Sequence, residues 1–213
     1  MIPDLSIDEL LTTTRAVRKR LDTTRPVPRE VLEECLDLAL QAPNGSNRND
    51  WRWIIVDDRE TVRKLADEYR AAMGLLNSGA APSPRFFSGK NPGEDRLLDS
   101  AMTLPEKLPD MPALLIPLMP GRVDGKDVVN QAAMWGSIAP AIWNFMLALR
   151  SRGLGSCWAT VTTRREREIA DILGIPYDDY TQAGMFPVAY TIGTDFKRAW
   201  RKPVSEVLTY NRF

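Results

Sequence analysis

Two short stretches of this chain hold the residues best suited to chemistry. Arg15, Arg18, Lys19 and Arg20 crowd cations into a stretch where a helix gives way to a link. Guanidinium groups fork onto phosphate oxygens, so the cluster suits a phosphate clamp. Cations also suit the C-terminal end of a helix, so a solvated helix end accounts for the same residues. From Ala42 to Trp51 the chain reads Ala-Pro-Asn-Gly-Ser-Asn-Arg-Asn-Asp-Trp. Its amides supply both donors and acceptors, which fits the edge of a heteroaromatic ring, and the same composition also makes a plain turn.

Composition removes most other chemistry. With His 0 there is no Ser-His-Asp or Cys-His catalysis, no Cys/His zinc site and no 2-His-1-carboxylate iron site, so no metal ligand set is expected. Cys35 and Cys157 are the only thiols, which excludes a disulfide framework and suits a reducing compartment. Lys+Arg 28 against Asp+Glu 28 leaves no net charge, so no nucleic-acid partner is expected. Gly153-Leu154-Gly155 begins like a dinucleotide fingerprint but lacks the third glycine and runs from helix to strand, the reverse of the required order. A phosphate-loop GxxxxGK[ST] does not occur, and no pair of carboxylates stands out for acid/base work. Chemistry, if any, is expected from a bound cofactor.

The elements that position these stretches follow from periodicity. Ser6 with Glu9 has capping-box spacing and opens a helix from about Ile7 to Arg15. Pro28 suits a first helical position, and Val31, Leu32, Cys35, Leu38 and Ala39 trace one apolar face as far as Ala42-Pro43. Trp51–Val56 reads as a strand, and Val62, Leu65, Ala66, Tyr69 and Met73 as a helix ending near Gly74. Residues 74–95 turn to Gly, Pro, Ser and Asn around Phe86-Phe87; so long a loop reads as a lid, a binding segment or disorder. A helix over about Arg96–Lys107, a strand over Ala113–Leu118 and a helix from Val128 to Arg152, kinked at Pro140, follow. Ser156–Thr163 reads as a strand, Arg164–Leu173 as a helix closed by Gly174, and Phe186–Ile192 as the last strand. The mixed order indicates an α+β fold.

At 213 residues the chain predicts one domain, 1–213, with a partly aromatic tail over 195–213. Val128–Leu149 lacks charge and is long enough to cross a bilayer, but Asn130, Gln131, Gly136, Ser137, Pro140 and Asn144 favour a buried core helix, so no membrane partner is expected. The opening MIPDLSIDEL lacks a basic-then-apolar arrangement, which predicts a cytoplasmic protein without a signal peptide.

Taken together and in order, these pieces resemble the FMN-dependent nitroreductase family. An Arg-x-Ser-x-Arg-like segment stands here as Arg15-Ala16-Val17-Arg18 with Pro26-Val27 downstream. The Ala-Pro-Ser-x-x-Asn-like segment stands as Ala42–Trp51, the helix before GLGSCW as Ser137–Asn144, then Gly153–Trp158, and a late Arg-x-Pro as Arg201-Lys202-Pro203. The resemblance implies a sandwich of helices around a mostly antiparallel sheet, in an intertwined homodimer that exchanges C-terminal tails. Its FMN groove would use both chains. Arg15, Arg18 and Arg201 would neutralise the phosphate near Ala16, and Pro43, Asn44 and Asn47 would frame the ring. Ala159, Thr160 and Val161, on the strand after GLGSCW, would bring backbone groups beside flavin N5, an amide there stabilising charge on the reduced ring. No side chain is implied as catalytic, since N5 carries the hydride.

The implied activity is ping-pong reduction of nitroaromatic or quinone-type acceptors, with NADPH or NADH as reductant. The alternatives are a same-fold flavin enzyme with another reaction, such as a dehalogenase or flavin-processing enzyme, or a non-enzymatic flavin-binding protein. Residues 74–95 lack the Glu-Tyr-Lys set with which a dehalogenase lid grips a zwitterion. Departures from the family pattern fall at the site: Ala16 replaces serine, Lys19-Arg20 lengthens the basic run and leaves open whether Arg18 or Lys19 meets phosphate, and Asn49-Asp50 and Trp143 replace Gln-Pro and Gln.

Overall fold

The capping box at Ser6 and Glu9 forms as its spacing predicts: the Ser6 hydroxyl accepts from the Glu9 amide, and the Glu9 carboxylate accepts from the Ser6 amide. It opens helix α1 (Ile7–Thr13) in a computed structural model that describes residues 3–78 and 92–213. Helices α2 (Arg29–Ala39), α3 (Arg59–Asn77), α4 (Glu94–Met102), α5 (Leu104–Lys107), α6 (Val128–Ser151) and α7 (Glu166–Leu173) follow. They surround strands β1 (Arg52–Val56), β2 (Ala113–Pro120), β3 (Leu154–Ser156), β4 (Tyr180–Gln182) and β5 (Phe186–Tyr190).

The strands pair in the order β1-β2-β5-β3, with β4 on the far end of β2, and every pairing is antiparallel. Strand alternation sends β2 to both faces of the sheet. Leu114, Ile116 and Leu118 pack with Val62, Leu65 and Tyr69 of α3 and Ile169 of α7. Ala113, Leu115 and Met119 pack with Leu32 and Cys35 of α2 and Ile138, Ile142 and Phe145 of α6. The result is an α+β sandwich of helices around an antiparallel sheet, as the resemblance implies.

Several boundaries differ from expectation for local reasons. Pro28 is the residue before α2 rather than its first helical residue, and Leu38 points outward while Leu32, Cys35 and Ala39 are buried. Helix α3 runs past Gly74 to Asn77; Phe86-Phe87 and most of the expected lid lie outside the described residues. The helix expected over Arg96–Lys107 is two helices, separated at Thr103, whose hydroxyl bonds back to the Ser100 carbonyl ahead of Pro105. Helix α6 continues through Pro140 and lays Ser137, Ile138, Ala141, Ile142, Phe145 and Leu149 into the core.

The strand expected over Ser156–Thr163 stops early. After β3 only an isolated bridge, Ala159 to Met185, continues the pairing, and Thr160–Arg165 forms a 3-10 helix. Threonine hydroxyls drive the change: Thr162 bonds back to the Ala159 carbonyl at 2.7 Å and Thr163 to the Thr160 carbonyl at 2.9 Å. Strand β4, absent from the sequence reading, is held by Glu166, which accepts from the Gln182 amide at 2.7 Å.

Candidate functional site

The basic segment leaves α1 at Thr14 and runs along β3. Val17 is buried and donates its amide hydrogen to the Ser156 carbonyl at 2.8 Å, and Leu21, fully buried, bridges to Thr191. The fit depends on Gly155, where an added Cβ would come within 2.8 Å of Thr191 Cγ2 and 3.0 Å of Val17 Cβ.

This strapping divides the arginines. Arg15 is exposed, donates to the Lys197 carbonyl at 3.1 Å, and lines a small recess with Thr13, Val17, Arg150, Ser156 and Phe196. Arg18 is half-buried instead, and its charge acts on the Cys157 thiol. Burial pushes that thiol up to about 11, with Arg18 opposing the shift, and pushes the Tyr69 hydroxyl up to about 12. Lys19 pairs with Asp99. Arg20 pairs with Asp195 at 2.6 Å, donates to the Ile192 carbonyl at 2.7 Å and lies 4.2 Å from the centre of the Phe196 ring, latching the start of the tail. Arg15 therefore reaches the recess without Arg18, because residues two apart share a side of an extended segment and residues three apart do not.

A residue that the sequence reading passed over lies beneath Arg15. Arg150 is 5% exposed at the end of α6, and no carboxylate among the described residues pairs with it. Its Nη2 donates to the Thr194 carbonyl at 2.9 Å, while Nε and Nη1 are buried without a partner. Burial holds its pKa below the usual arginine range, and nearby Arg20 pushes the same way. The Ser156 hydroxyl, also in the recess, is buried and unpartnered. The available signal was a lone cation closing an otherwise uncharged helix.

The amide stretch folds as a strained turn. Ser46, Asn47 and Asn49 adopt φ of 55°, 51° and 53°, the left-handed region that non-glycine residues seldom occupy. Asn44 and Asn49 hold it closed: the Asn49 amide donates to Asn44 Oδ1 at 3.1 Å, and Asn44 Nδ2 donates to Asn49 Oδ1 at 3.0 Å. The Asn44 amide is thus engaged in its own turn, while Pro43 and Asn47 are exposed. The Gly45 amide ties the turn to α6 by donating to Ser137 Oγ at 2.9 Å. Beside it opens a cleft of about 220 Å³ lined by Ser46, Arg48, Met119, Lys126, Asn130 and Ser137, among others.

Ser137 and Arg150 lie on the same helix, about 20 Å apart at 1.5 Å rise per residue. Within one chain, then, turn and recess belong to separate cavities. Of the remaining expected contacts, Ala159 commits its amide to the Met185 carbonyl at 2.9 Å. Thr160 and Val161 stand in the first turn of a 3-10 helix rather than on a strand, where amide hydrogens lack acceptors within the helix. Arg201 lies in the exposed tail, donates to the neighbouring Trp200 carbonyl at 2.7 Å and does not line the recess that holds Arg15.

Comparison with known proteins gives this geometry a context. Residues 11–190 match the Nitroreductase family. A nitrobenzene nitroreductase of Ectopseudomonas oleovorans is 28% identical over 201 residues, covering 84% of each chain. An FMN- and NADPH-dependent nitroreductase of Sphigopyxis sp. strain HMH superimposes with a TM-score of 0.69 at 21% identity, covering 98% of this chain and 100% of its own. An iodotyrosine deiodinase bound to FMN and 3-iodo-L-tyrosine superimposes with a TM-score of 0.69 at 23% identity over the same shares.

Proposed function

The chain belongs to the nitroreductase family, and on that premise we propose that it is an FMN-dependent oxidoreductase that takes hydride from NADPH or NADH and reduces nitroaromatic or quinone-type acceptors, as a cytoplasmic homodimer. The observation that carries this reading is the recess beside β3, lined by Arg15 and by buried guanidinium and hydroxyl atoms that find no partner among the described residues. Such a donor set fits an anionic group such as the flavin phosphate.

When bound, FMN supplies the hydride chemistry through its N5. The chain would bind and orient it. Arg15 would neutralise the phosphate, and the amides of Thr160 and Val161 would face the ring. Pro43, Asn44 and Asn47 would approach the ring from a second chain, because within one chain they stand at the other end of α6 from Arg15. Asn44 would act mainly by holding the turn rigid, its side chain being occupied by Asn49.

The tail supports the dimer. Trp200, Val204, Val207, Leu208, Tyr210 and Phe213 are all exposed, an apolar strip that a second copy would cover. Helix α6 adds exposed Val128, Val129 and Trp143.

The deiodinase neighbour shows that this fold also serves other reactions, so acceptor identity rests on the residues around the ring rather than on the fold. The purified protein is expected to be yellow, to release FMN on denaturation, and to oxidise NADPH or NADH in the presence of a nitroarene. A protein that binds no flavin would overturn the reading.

A further inference from the structure

Arg150 poses an electrostatic problem that the described residues leave unsolved. A guanidinium carries five N–H donors and stays charged, so its burial is unfavourable unless acceptors and a counter-charge meet those donors. The protein buries it to 5% exposure with Nε and Nη1 unpartnered among the described residues, and the charge that acts on it from Arg20 is of the same sign. What does surround it is neutral: the Thr194 carbonyl at 2.9 Å, Thr13 Oγ1 at 3.4 Å and the Phe196 ring, 4.8 Å from ring centre to guanidinium carbon. A second unpartnered buried donor, Ser156 Oγ, lines the same recess, and the exposed Arg15 lines it too.

The recess measures about 10 Å³. That is room for one oxygen-sized group, not for a whole phosphate. Donors supplied by three separate elements, the link after α1, the end of α6 and β3, thus converge on a space of single-atom size.

We propose that this recess is an oxyanion subsite that seats one oxygen of a phosphate group between Arg150 and Ser156, with Arg15 meeting the remaining oxygens outside. This rests on the flavin reading above and deepens it: Arg150, outside the family-like motif, becomes a residue that makes the protein select the phosphorylated flavin over riboflavin. A free phosphate ion would satisfy the same donors, and the experiment separates the two sources.

Flavin-free protein is titrated with FMN and with riboflavin, following quenching of flavin fluorescence, and its melting temperature is measured with and without inorganic phosphate. Arg150→Met should weaken FMN binding tenfold or more while leaving riboflavin binding within about twofold, as expected for loss of a charge-assisted hydrogen bond to phosphate. Ser156→Ala should move FMN in the same direction by less. Arg150→Lys, which keeps the charge and loses the fork, should fall between, and it carries the test if the methionine variant fails to fold.

Equal losses for FMN and riboflavin would assign Arg150 a merely structural role and overturn the proposal. So would an unchanged preference for FMN, which would leave a bridging water as the occupant. If the wild type binds neither flavin, the functional reading fails by itself. The subsite then stands on phosphate alone: a rise in melting temperature that Arg150→Met abolishes supports it, and no rise in the wild type overturns it.

Discussion

Val17 donates its amide hydrogen to the carbonyl of Ser156 at 2.8 Å, and through that bond the basic segment lies flat along β3. The approach is possible because Gly155 has no side chain. Gly155→Ala would place a Cβ 2.8 Å from Thr191 Cγ2 and 3.0 Å from Val17 Cβ. Overpacking of this kind typically costs about 1–3 kcal/mol. The urea midpoint should fall accordingly and Arg15 should lose its seat, so that flavin retention falls with it. An unchanged midpoint would contradict the packing argument.

Arg15 and Arg18 should separate in their effects. Arg15 is exposed and faces the recess, so Arg15→Ala is expected to weaken FMN binding about tenfold or more and to leave stability within about 0.5 kcal/mol. Arg18 is half-buried and its charge acts on the buried Cys157 thiol, so Arg18→Ala should act first on the melting temperature. Parallel flavin titrations and thermal melts of the two variants check this, and equal flavin loss from both would restore the paired clamp.

Arg122 fixes the wall of the cleft beside the strained turn. Its guanidinium meets Glu166 at 2.7 and 2.9 Å and the Tyr180 carbonyl at 2.7 Å, with both charged partners largely buried. Removing one member of such a pair costs about 3–5 kcal/mol where the other charge is left unpaired; Asp124, accepting from Arg122 Nε at 2.9 Å, keeps the cost below that range here. Glu166→Gln should lower the melting temperature by many degrees, and it should also loosen β4, whose Gln182 amide donates to the same carboxylate. Calorimetry that finds less than about 1 kcal/mol would show that water replaces the carboxylate.

Both thiols should sense alkaline pH. Burial pushes Cys35 and Cys157 up to about 11 in the folded chain, against about 8.5 for a free thiol. A raised folded-state value means that the stabilisation is fully present below pH 8.5 and is lost as pH rises toward 11, because only the unfolded chain then ionises freely. Chemical denaturation should show stability falling through that window by on the order of 3 kcal/mol for each thiol, and by about half as much in Cys157→Ser. At pH 8 a thiol-specific disulfide reagent should modify neither cysteine until the chain unfolds.

Deleting residues 197–213 removes the exposed strip from Trp200 to Phe213 and the carbonyl of Lys197 that Arg15 holds. Light scattering should then report a monomer with little bound flavin, because the second copy would lose its largest exposed apolar segment. A dimer that keeps its flavin after truncation would place the interface on α6 alone.

What the chain's own text determined is local. Ser6 and Glu9 make their cap, Gly174 ends α7 in the left-handed region, and the uncharged run from Val128 becomes the core helix that its polar residues already suggested. These features depend on neighbours within a turn or two, so spacing alone carries them. The resemblance carried the family and the sandwich of helices and sheet.

What spacing did not carry depended on partners distant in sequence. Leu38 matches the apolar stripe of α2 yet faces outward, because only the contact with α6 and the sheet decides which part of a broad stripe is covered. Thr160–Val161 have strand-forming residues, but pairing with β5 has ended and the hydroxyls turn the chain into a 3-10 helix. Arg15 and Arg18 look equivalent in the text until Val17 is strapped to β3 and sends them to different sides. Arg150 reads as the polar end of a helix; only the packing of Thr13, Ser156 and Phe196 around it makes it a buried, unpaired cation. Periodicity tells which side of an element is apolar, but the partner that covers a charge is set by long-range contacts, and those exist only once the chain has folded.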